Sequence, residues 1–517
     1  MLLLWLGWLT GCATRLPSID RAGLASRALP GSDQTRLGRL VADSTPLYAH
    51  TGFRLMPLGA FSFDTRLQLV QRAEVSLDLQ YYQLENDNSG RSLLRALQQA
   101  ADRGVRVRLL LDDLYTGGQD ELLLAFAAHP NVQLRLFNPF CLARDLGQVG
   151  RYLVNVGDWT RLNHRMHNKL FIADGVAAVI GGRNIADVYF LRQENDNFID
   201  LDAFVVGKMV PQLADLFDSY WNDGPVYPIA SLAQPVLDLQ SQRAFFQHTT
   251  GPGQTKPPAP MPANDILGYG PIRDDLEFGR LGLTWGDGIA FADAPDKPFD
   301  LTGHSELAES SVTFSVIEAI RLARTEVLAS SPYFVPGPRG MALFRSLRER
   351  GVKLSVLTNS LGATDEPVVH LGYSRYRPEM LRLGMDLYEL SKSRVKRNDR
   401  MFHFGESLGR LHAKLVVIDG RLSFIGSMNL DPRSATINTE LGAVIDSPAL
   451  ARELKRVIDL DRLQSSYRVR LAADGSGLEW LGQDDTGLTV LREEPDASTW
   501  LRLKTWLFSP LVPESLL

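Results

Sequence analysis

The chain repeats itself. Arg72-Ala-Glu-Val-Ser-Leu-Asp-Leu-Gln-Tyr81 reads as a strand following an amphipathic helix, and Arg324-Thr-Glu-Val-Leu-Ala-Ser-Ser-Pro-Tyr333 returns 252 residues later. A helix over Ser92 to Arg103, closed by Gly104, leads to a strand over Val105 to Leu111. The second copy runs from Met341 to Arg350, then Gly351, then Val352 to Leu357. Glycine at a helix end followed by a β-branched run marks a helix-to-strand boundary. Strand–helix–strand units predict an α/β fold, a mixed and largely parallel sheet with helices on its faces, and the repeat predicts two such halves.

A chain of 517 residues has room for this duplication and for flanking segments. The first half is placed at 31–225 and the second at 301–465. Between them, 226–300 is rich in Pro and Gly, as in Gly251-Pro-Gly-Gln-Thr-Lys-Pro-Pro-Ala-Pro260, and reads as a linker or surface loop. Residues 466–517 form a tail suited to one hairpin and a helix, and 1–30 an N-terminal segment apart from the fold.

One motif occurs once in each half. His167-Asn-Lys169 is followed by four residues, Asp174, six residues, and Gly181-Gly182-Arg183-Asn184. His412-Ala-Lys414 is followed by four residues, Asp419, six residues, and Gly426-Ser427-Met428-Asn429. Each copy has a chance frequency on the order of 10⁻⁸ to 10⁻⁷ per start point, so two copies at matching places are no accident. Asp-Gly between apolar runs predicts a hairpin turn, at Asp174-Gly175 and Asp419-Gly420. A two-residue turn would set His167 opposite Gly182 and His412 opposite Ser427. His and Lys, two apart on a strand, share a face. Each half then offers an imidazole, an ammonium and the amide of Asn184 or Asn429 around a space left by small residues. A lysine between apolar neighbours in an interior strand is costly unless paired, and a bound phosphate would pair it. The turn already accounts for Asp174 and Asp419, so a structural role is expected of them.

The paired H-x-K-x4-D motif resembles the hallmark of the phospholipase D superfamily. The flanking Gln80-Tyr-Tyr82, Ala101-Asp-Arg-Gly104, Arg165-Met-His167 and Tyr220-Trp221-Asn222 are similar to its bacterial cardiolipin synthase branch. The resemblance implies a duplicated phospholipase D-like α/β/α sandwich with one shared cleft. It also implies ping-pong phosphoryl transfer that uses neither metal nor cofactor. One imidazole attacks phosphorus and the other protonates the leaving alcohol, then deprotonates the incoming one. Lysines and asparagines hold the non-bridging oxygens. By the family's usual order His167 is the nucleophile and His412 the general acid, although sequence symmetry leaves the choice open. Each imidazole needs a carboxylate on its second nitrogen. Glu440 matches the family position in the second half. In the first half the strand 200–206 offers Asp200, or Asp202 as the alternative. Arg165 and Arg410, two before each His, are either further phosphate contacts or surface arginines.

The implied activity is cardiolipin synthesis from phosphatidylglycerol and a second phospholipid, phosphatidylethanolamine among the candidates. The rivals are a hydrolytic phospholipase D, a phosphodiesterase nuclease and a non-enzymatic membrane-binding protein. A net charge of −5, from 55 basic and 60 acidic side chains, argues against a nucleic-acid partner, and both motif copies are intact. Of the two cysteines, Cys141 sits in an apolar segment and reads as a small core residue. Cys12 closes an apolar run in which Leu9-Thr10-Gly11-Cys12 resembles a bacterial lipobox. That run is shorter than the roughly 20 residues a membrane span requires. A lipid anchor at Cys12, facing the periplasm of a bacterium, is the expected placement. A transferase must keep water from its intermediate, and Val368-Val-His-Leu-Gly-Tyr-Ser-Arg-Tyr376 is a candidate apolar rim, the other reading being a helix packed on the core.

Overall fold

The computed structural model describes residues 16–47, 50–194, 196–258, 260–297, 311–397, 408–475, 477–484 and 487–508. Cys12 and the apolar run before it lie outside the described residues. No helix among the described residues is long and apolar enough to cross a membrane.

The first half contributes β1 (Thr51–Met56), β2 (Ser76–Tyr81), β3 (Arg106–Asp112), β4 (Val132–Phe137), β5 (Lys169–Ala173), β6 (Ala177–Gly181), β7 (Asp196–Ile199), β8 (Asp202–Gly207) and β9 (Val226–Pro228). Then follow β10 (Thr284–Ala292), β11 (Glu326–Ser330), β12 (Lys353–Asn359), β13 (Asp386–Leu390), β14 (Leu408–Leu411), β15 (Leu415–Ile418), β16 (Leu422–Gly426) and β17 (Leu441–Asp446). The tail adds β18 (Ser466–Leu471), β19 (Leu478–Asp484) and β20 (Gly487–Leu491), and ends in the helix Thr499–Phe508.

Traced by its pairings, the large sheet runs β9-β4-β3-β2-β5-β6-β8-β1, crosses from β1 to β10, and continues β17-β16-β15-β11-β12-β13-β18-β19-β20. The order is a palindrome about the β1–β10 junction, as a duplication requires. The sheet is mixed, but parallel pairing is confined to β2-β3-β4 and β11-β12-β13. The remaining pairs in it are antiparallel, because hairpins and returning strands supply them.

Helix boundaries follow local chemistry. Asp87 caps the helix Asn88–Asp102 by accepting from Gly90 N, and Gly104 ends it with φ 96°. Gly351, φ 81°, does the same after Gly337–Glu349. The halves correspond with a different offset from the sequence alignment. Leu77 pairs with Ala173, and Val327 pairs with Ile418, so β2 and β11 are 250 residues apart instead of 252. Tyr81 therefore corresponds to Ser331.

Three layers of core result. One lies between the first sheet and helices Gly59–Arg72, Asn88–Asp102 and Asp120–Ala127. The middle one draws on both halves and contains the helix Met209–Trp221. The third belongs to the second half and the tail. The segment expected as a linker carries real structure: helix Leu239–Thr249, helix Ile272–Phe278 and β10, which joins the two halves of the sheet through β1 and β17. Gly286 allows the approach to β17, since a Cβ there would lie 2.6 Å from Ser447 Cβ and 2.9 Å from Asp446 O. Cys141 is half-buried, with Arg161 Nη2 at 3.9 Å from its Sγ, instead of lying in the core.

Candidate active site

Both motif hairpins form, with one residue more than expected. Asp174 and Gly175 have φ 51° and 64°, and Asp419 and Gly420 have 53° and 62°, the left-handed pair that suits Asp-Gly. The ladder then closes as Ala173↔Ala177 and Ile418↔Leu422, so Val176 and Arg421 are bulged out. Carried along the strands, this sets Lys169 level with Gly181 and Lys414 level with Gly426. His167 and His412 then face positions 183 and 428 instead of Gly182 and Ser427.

The small residues serve the carboxylates. A Cβ on Gly182 would lie 2.2 Å from Asp200 Oδ1. Ser427 Oγ donates to Glu440 Oε2 at 2.5 Å, and Ser434 Oγ to Glu440 Oε1 at 2.8 Å.

The carboxylates are exchanged between halves. His167 Nδ1 lies 2.9 Å from Glu440 Oε2, and His412 Nδ1 lies 2.6 Å from Asp200 Oδ2. Backbone pairing produces the exchange. Met166 bridges in parallel to Thr439, and His167 N donates to Thr439 O at 2.9 Å. Reciprocally, β14 pairs in parallel with β7, and His412 N donates to Ile199 O at 2.7 Å. The segment leading into each histidine thus lies beside the segment leading into the other half's carboxylate. Asp202, the alternative to Asp200, is taken up by Arg66 at 3.0 Å and Ser62 Oγ at 2.5 Å.

With Nδ1 bound to a carboxylate, Nε2 of each ring is the nitrogen left for chemistry. Burial pushes His167 down to about 4 against the pull of Glu440, and lowers His412 against Asp200. Burial alone would raise Asp200, but His412 and Lys414 hold it at about 2. Both rings are therefore neutral at rest, and a bound phosphodiester anion would raise their proton affinity. Lys169 Nζ donates to His167 O at 2.6 Å, and Lys414 Nζ to His412 O at 2.5 Å. Burial lowers both ammonium groups, Lys414 to about 8. Lys414 acts on His167 and Lys169 on His412, which places the four groups in one electrostatic site.

Asn184 Nδ2 donates to Tyr189 OH at 2.9 Å, and Asn429 N to Ser434 Oγ at 3.2 Å. Oδ1 of both asparagines is buried without a hydrogen-bond partner among the described residues. Turning the Asn184 amide over would satisfy Oδ1 from the tyrosine hydroxyl and free Nδ2 for a phosphoryl oxygen. Asp174 accepts from the backbone N of Glu74, Val75 and Ser76, and Asp419 from Arg324, Thr325 and Glu326. Both carboxylates tie the hairpin turn to the start of the neighbouring strand. Arg165 is no surface residue: it is fully buried, its Nε 3.2 Å from Asp112 Oδ2 and its Nη2 donating to Asn138 O. Arg410 clasps Asp196 across the β7–β14 pair at 2.6 Å.

Sequence reasoning gave no role to the aromatic walls. Tyr82 stands edge-on to His167 with centroids 5.0 Å apart; Tyr189 and Phe198 flank His412 at 5.1 and 4.8 Å. Tyr189 and Ser434 both stand five residues after the motif asparagine, a recurrence that could have drawn attention to them. Val368–Tyr376 is helical. It belongs to the helix Pro367–Arg382 packed on the second-half core, with Tyr373 OH donating to buried Glu389 at 3.0 Å.

A family model described as "Cardiolipin synthase, PLD-like domain" matches residues 67–221 and 316–462. Cardiolipin synthase C of Escherichia coli is 38% identical over 472 residues, 88% of this chain and 94% of that protein. A cardiolipin synthase of Staphylococcus aureus is 24% identical, covering 79% of this chain and 66% of that protein. Among solved structures, phosphatidylserine synthase of Haemophilus influenzae covers 93% of this chain and 100% of that one, with a TM-score of 0.57 at 14% identity, a likeness of fold. Two family matches in the two halves, each holding one His–Lys hairpin of a shared site, place this chain in the phospholipase D-like family of the cardiolipin synthase type.

Proposed function

We propose that the protein is a phosphatidyltransferase that makes cardiolipin from phosphatidylglycerol and a second phospholipid. The observation that carries the reading is the pair of imidazoles, each tied through Nδ1 to the other half's carboxylate. His167 Nε2 attacks phosphorus, forming a P–N bond as the P–O bond to the departing alcohol breaks. His412, which takes up a proton from solvent as the phosphodiester anion binds, gives that alcohol its proton from Nε2. The 2.6 Å bond to Asp200, shorter than the 2.9 Å bond at His167, favours the imidazolium on His412 and so supports the family order. The acceptor's hydroxyl then gives its proton to His412, its oxygen attacks phosphorus, and the P–N bond breaks. Lys169, Lys414, Asn184 and Asn429 hold the non-bridging oxygens. The rings of Tyr82, Tyr189 and Phe198 border the imidazoles and limit water, which favours an alcohol as acceptor. Similarity to cardiolipin synthase C supports a lipid acceptor, and the Cys12 lipobox supports a membrane site facing the periplasm.

Purified protein given phosphatidylglycerol vesicles, with and without phosphatidylethanolamine, tests the proposal. Cardiolipin as main product is expected. Phosphatidic acid alone in both mixtures would make the protein a hydrolase.

A further inference from the structure

Residues 142–159, between β4 and Arg165, are built inside out. Helix Gln148–Val154, a short turn Val156–Asp158 and helix Trp159–Leu162 follow one another here. Val149, Leu153, Val156 and Trp159 are 75%, 70%, 67% and 52% exposed. Three polar side chains, Arg144, Arg151 and Asn155, point inward. Arg151 is fully buried, with Nη2 2.6 Å from Asp113 Oδ2 and Nη1 donating to Asp113 O at 2.7 Å. Arg144 joins the same carboxylate, and Asn155 Nδ2 donates to Leu142 O. A surface helix in water normally has the opposite arrangement. A contiguous exposed apolar patch marks an interaction surface.

Three observations select a lipid bilayer. The patch borders the site: Arg151 Nη1 donates at 3.2 Å to the carbonyl of Leu114, the residue before Tyr115, Tyr115 stands edge-on to Tyr82 at 5.1 Å, and Tyr82 stands edge-on to His167. A second apolar face lies on the helix Thr499–Phe508, where Trp500, Leu503 and Leu507 are exposed and Lys504 is interleaved. That helix packs on Pro367–Arg382, which begins one residue after Glu366, whose charge reaches Tyr115. Apolar side chains mixed with a cation suit an anionic lipid interface. Finally, Arg21 donates to Gly224 O and Val226 O, and Val226 pairs with Phe137 at the carboxyl end of β4. Arg21, near the first described residues, is thus held at the strand end from which 142–159 departs.

We propose that residues 142–159, with the helix Thr499–Phe508, seat the mouth of the site on an anionic phospholipid bilayer. This rests on the phosphatidyltransferase reading, since a substrate held in a bilayer must enter the cleft without crossing water.

The test uses the full chain with Cys12→Ser in every arm, so that no acyl chain on that residue can hold it to lipid. The protein is floated with vesicles of phosphatidylglycerol and phosphatidylcholine. The double variant Val149→Asp/Leu153→Asp should lower the bound fraction by about tenfold or more. It should lose turnover of vesicle lipid while keeping turnover of dispersed short-chain phosphatidylglycerol within about twofold. Leu322→Asp, an exposed apolar position in the second half, should change neither readout. Thermal unfolding checks that the double variant is folded, and Val149→Ser/Leu153→Ser should show a partial loss. Unchanged flotation of the folded Asp variant overturns the proposal. So does a wild-type dimer that the variant splits with flotation unaltered, which would make the patch a contact between copies. If the unsubstituted surface floats and the variant does not, but no lipid is turned over by either, the docking surface stands and the enzymatic reading falls.

Discussion

Exchanged carboxylates make the two halves separable by substrate chemistry. Glu440→Gln keeps the volume but removes the charge that accepts from His167 Nδ1 at 2.9 and 3.1 Å. A neutral amide loses a charge-assisted hydrogen bond, about 1.5–3 kcal/mol, and no longer stabilises the imidazolium. It can also present its NH2 to Nδ1, which would place the proton on Nε2 and remove the nucleophile's lone pair. A drop of about 10³–10⁴ in turnover is expected, as when a buried triad carboxylate is made an amide. Asp200→Asn does the same to His412, the proposed acid. A phosphodiester with a p-nitrophenyl leaving group needs no protonation, so its pre-steady-state burst should survive Asp200→Asn to within about tenfold. The burst should be lost in Glu440→Gln. The opposite pattern, or equal loss of the burst in both variants, would refute the assignment of each carboxylate to the other half's histidine in these roles.

Other outcomes follow from the same geometry. His167 is held at about 4 against an ordinary 6.5, so the unfolded chain takes up that proton first as pH falls. Its contribution is complete above pH 6.5 and lost on the way down to pH 4. The stability gap between wild type and His167→Asn in urea should therefore shrink by about 3 kcal/mol between pH 7 and pH 4. Asp174→Asn and Asp419→Asn should cost far less activity than loss of either histidine, with the larger effect on melting temperature, because these carboxylates hold backbone amides. The double variant His167→Ala/His412→Ala should turn over lipid little more slowly than either single variant, since the two act as a unit; additive losses would contradict this.

The sequence carried much of the site because its information is local. Spacing within each hairpin and the Asp-Gly turns are short-range signals, and Glu440 and Asp200 could be named from their strands. Register failed by one residue, because the bulges at Val176 and Arg421 leave no mark in composition. The exchange of carboxylates was illegible for a different reason. It depends on pairing between Met166 and Thr439, 273 residues apart, which periodicity cannot report. The segment 226–300 misled because the Pro and Gly of 251–260 set its reading. Further along, in β10, Gly286 serves close approach to Asp446 and Ser447. The inverted helix at 148–154 escaped because its apolar spacing resembles that of a core helix, and only burial reveals which side faces out.

In the proposed reaction a phosphatidyl group passes through one histidine of a site shared by both halves. Phosphatidylglycerol labelled at phosphorus, mixed with the enzyme and quenched within a single turnover, tests it directly. Acid-labile label is expected on the peptide containing His167, transferred to cardiolipin when unlabelled lipid is added before the quench. Cardiolipin formed with no labelled enzyme at any time, or label on the peptide containing His412, would contradict it.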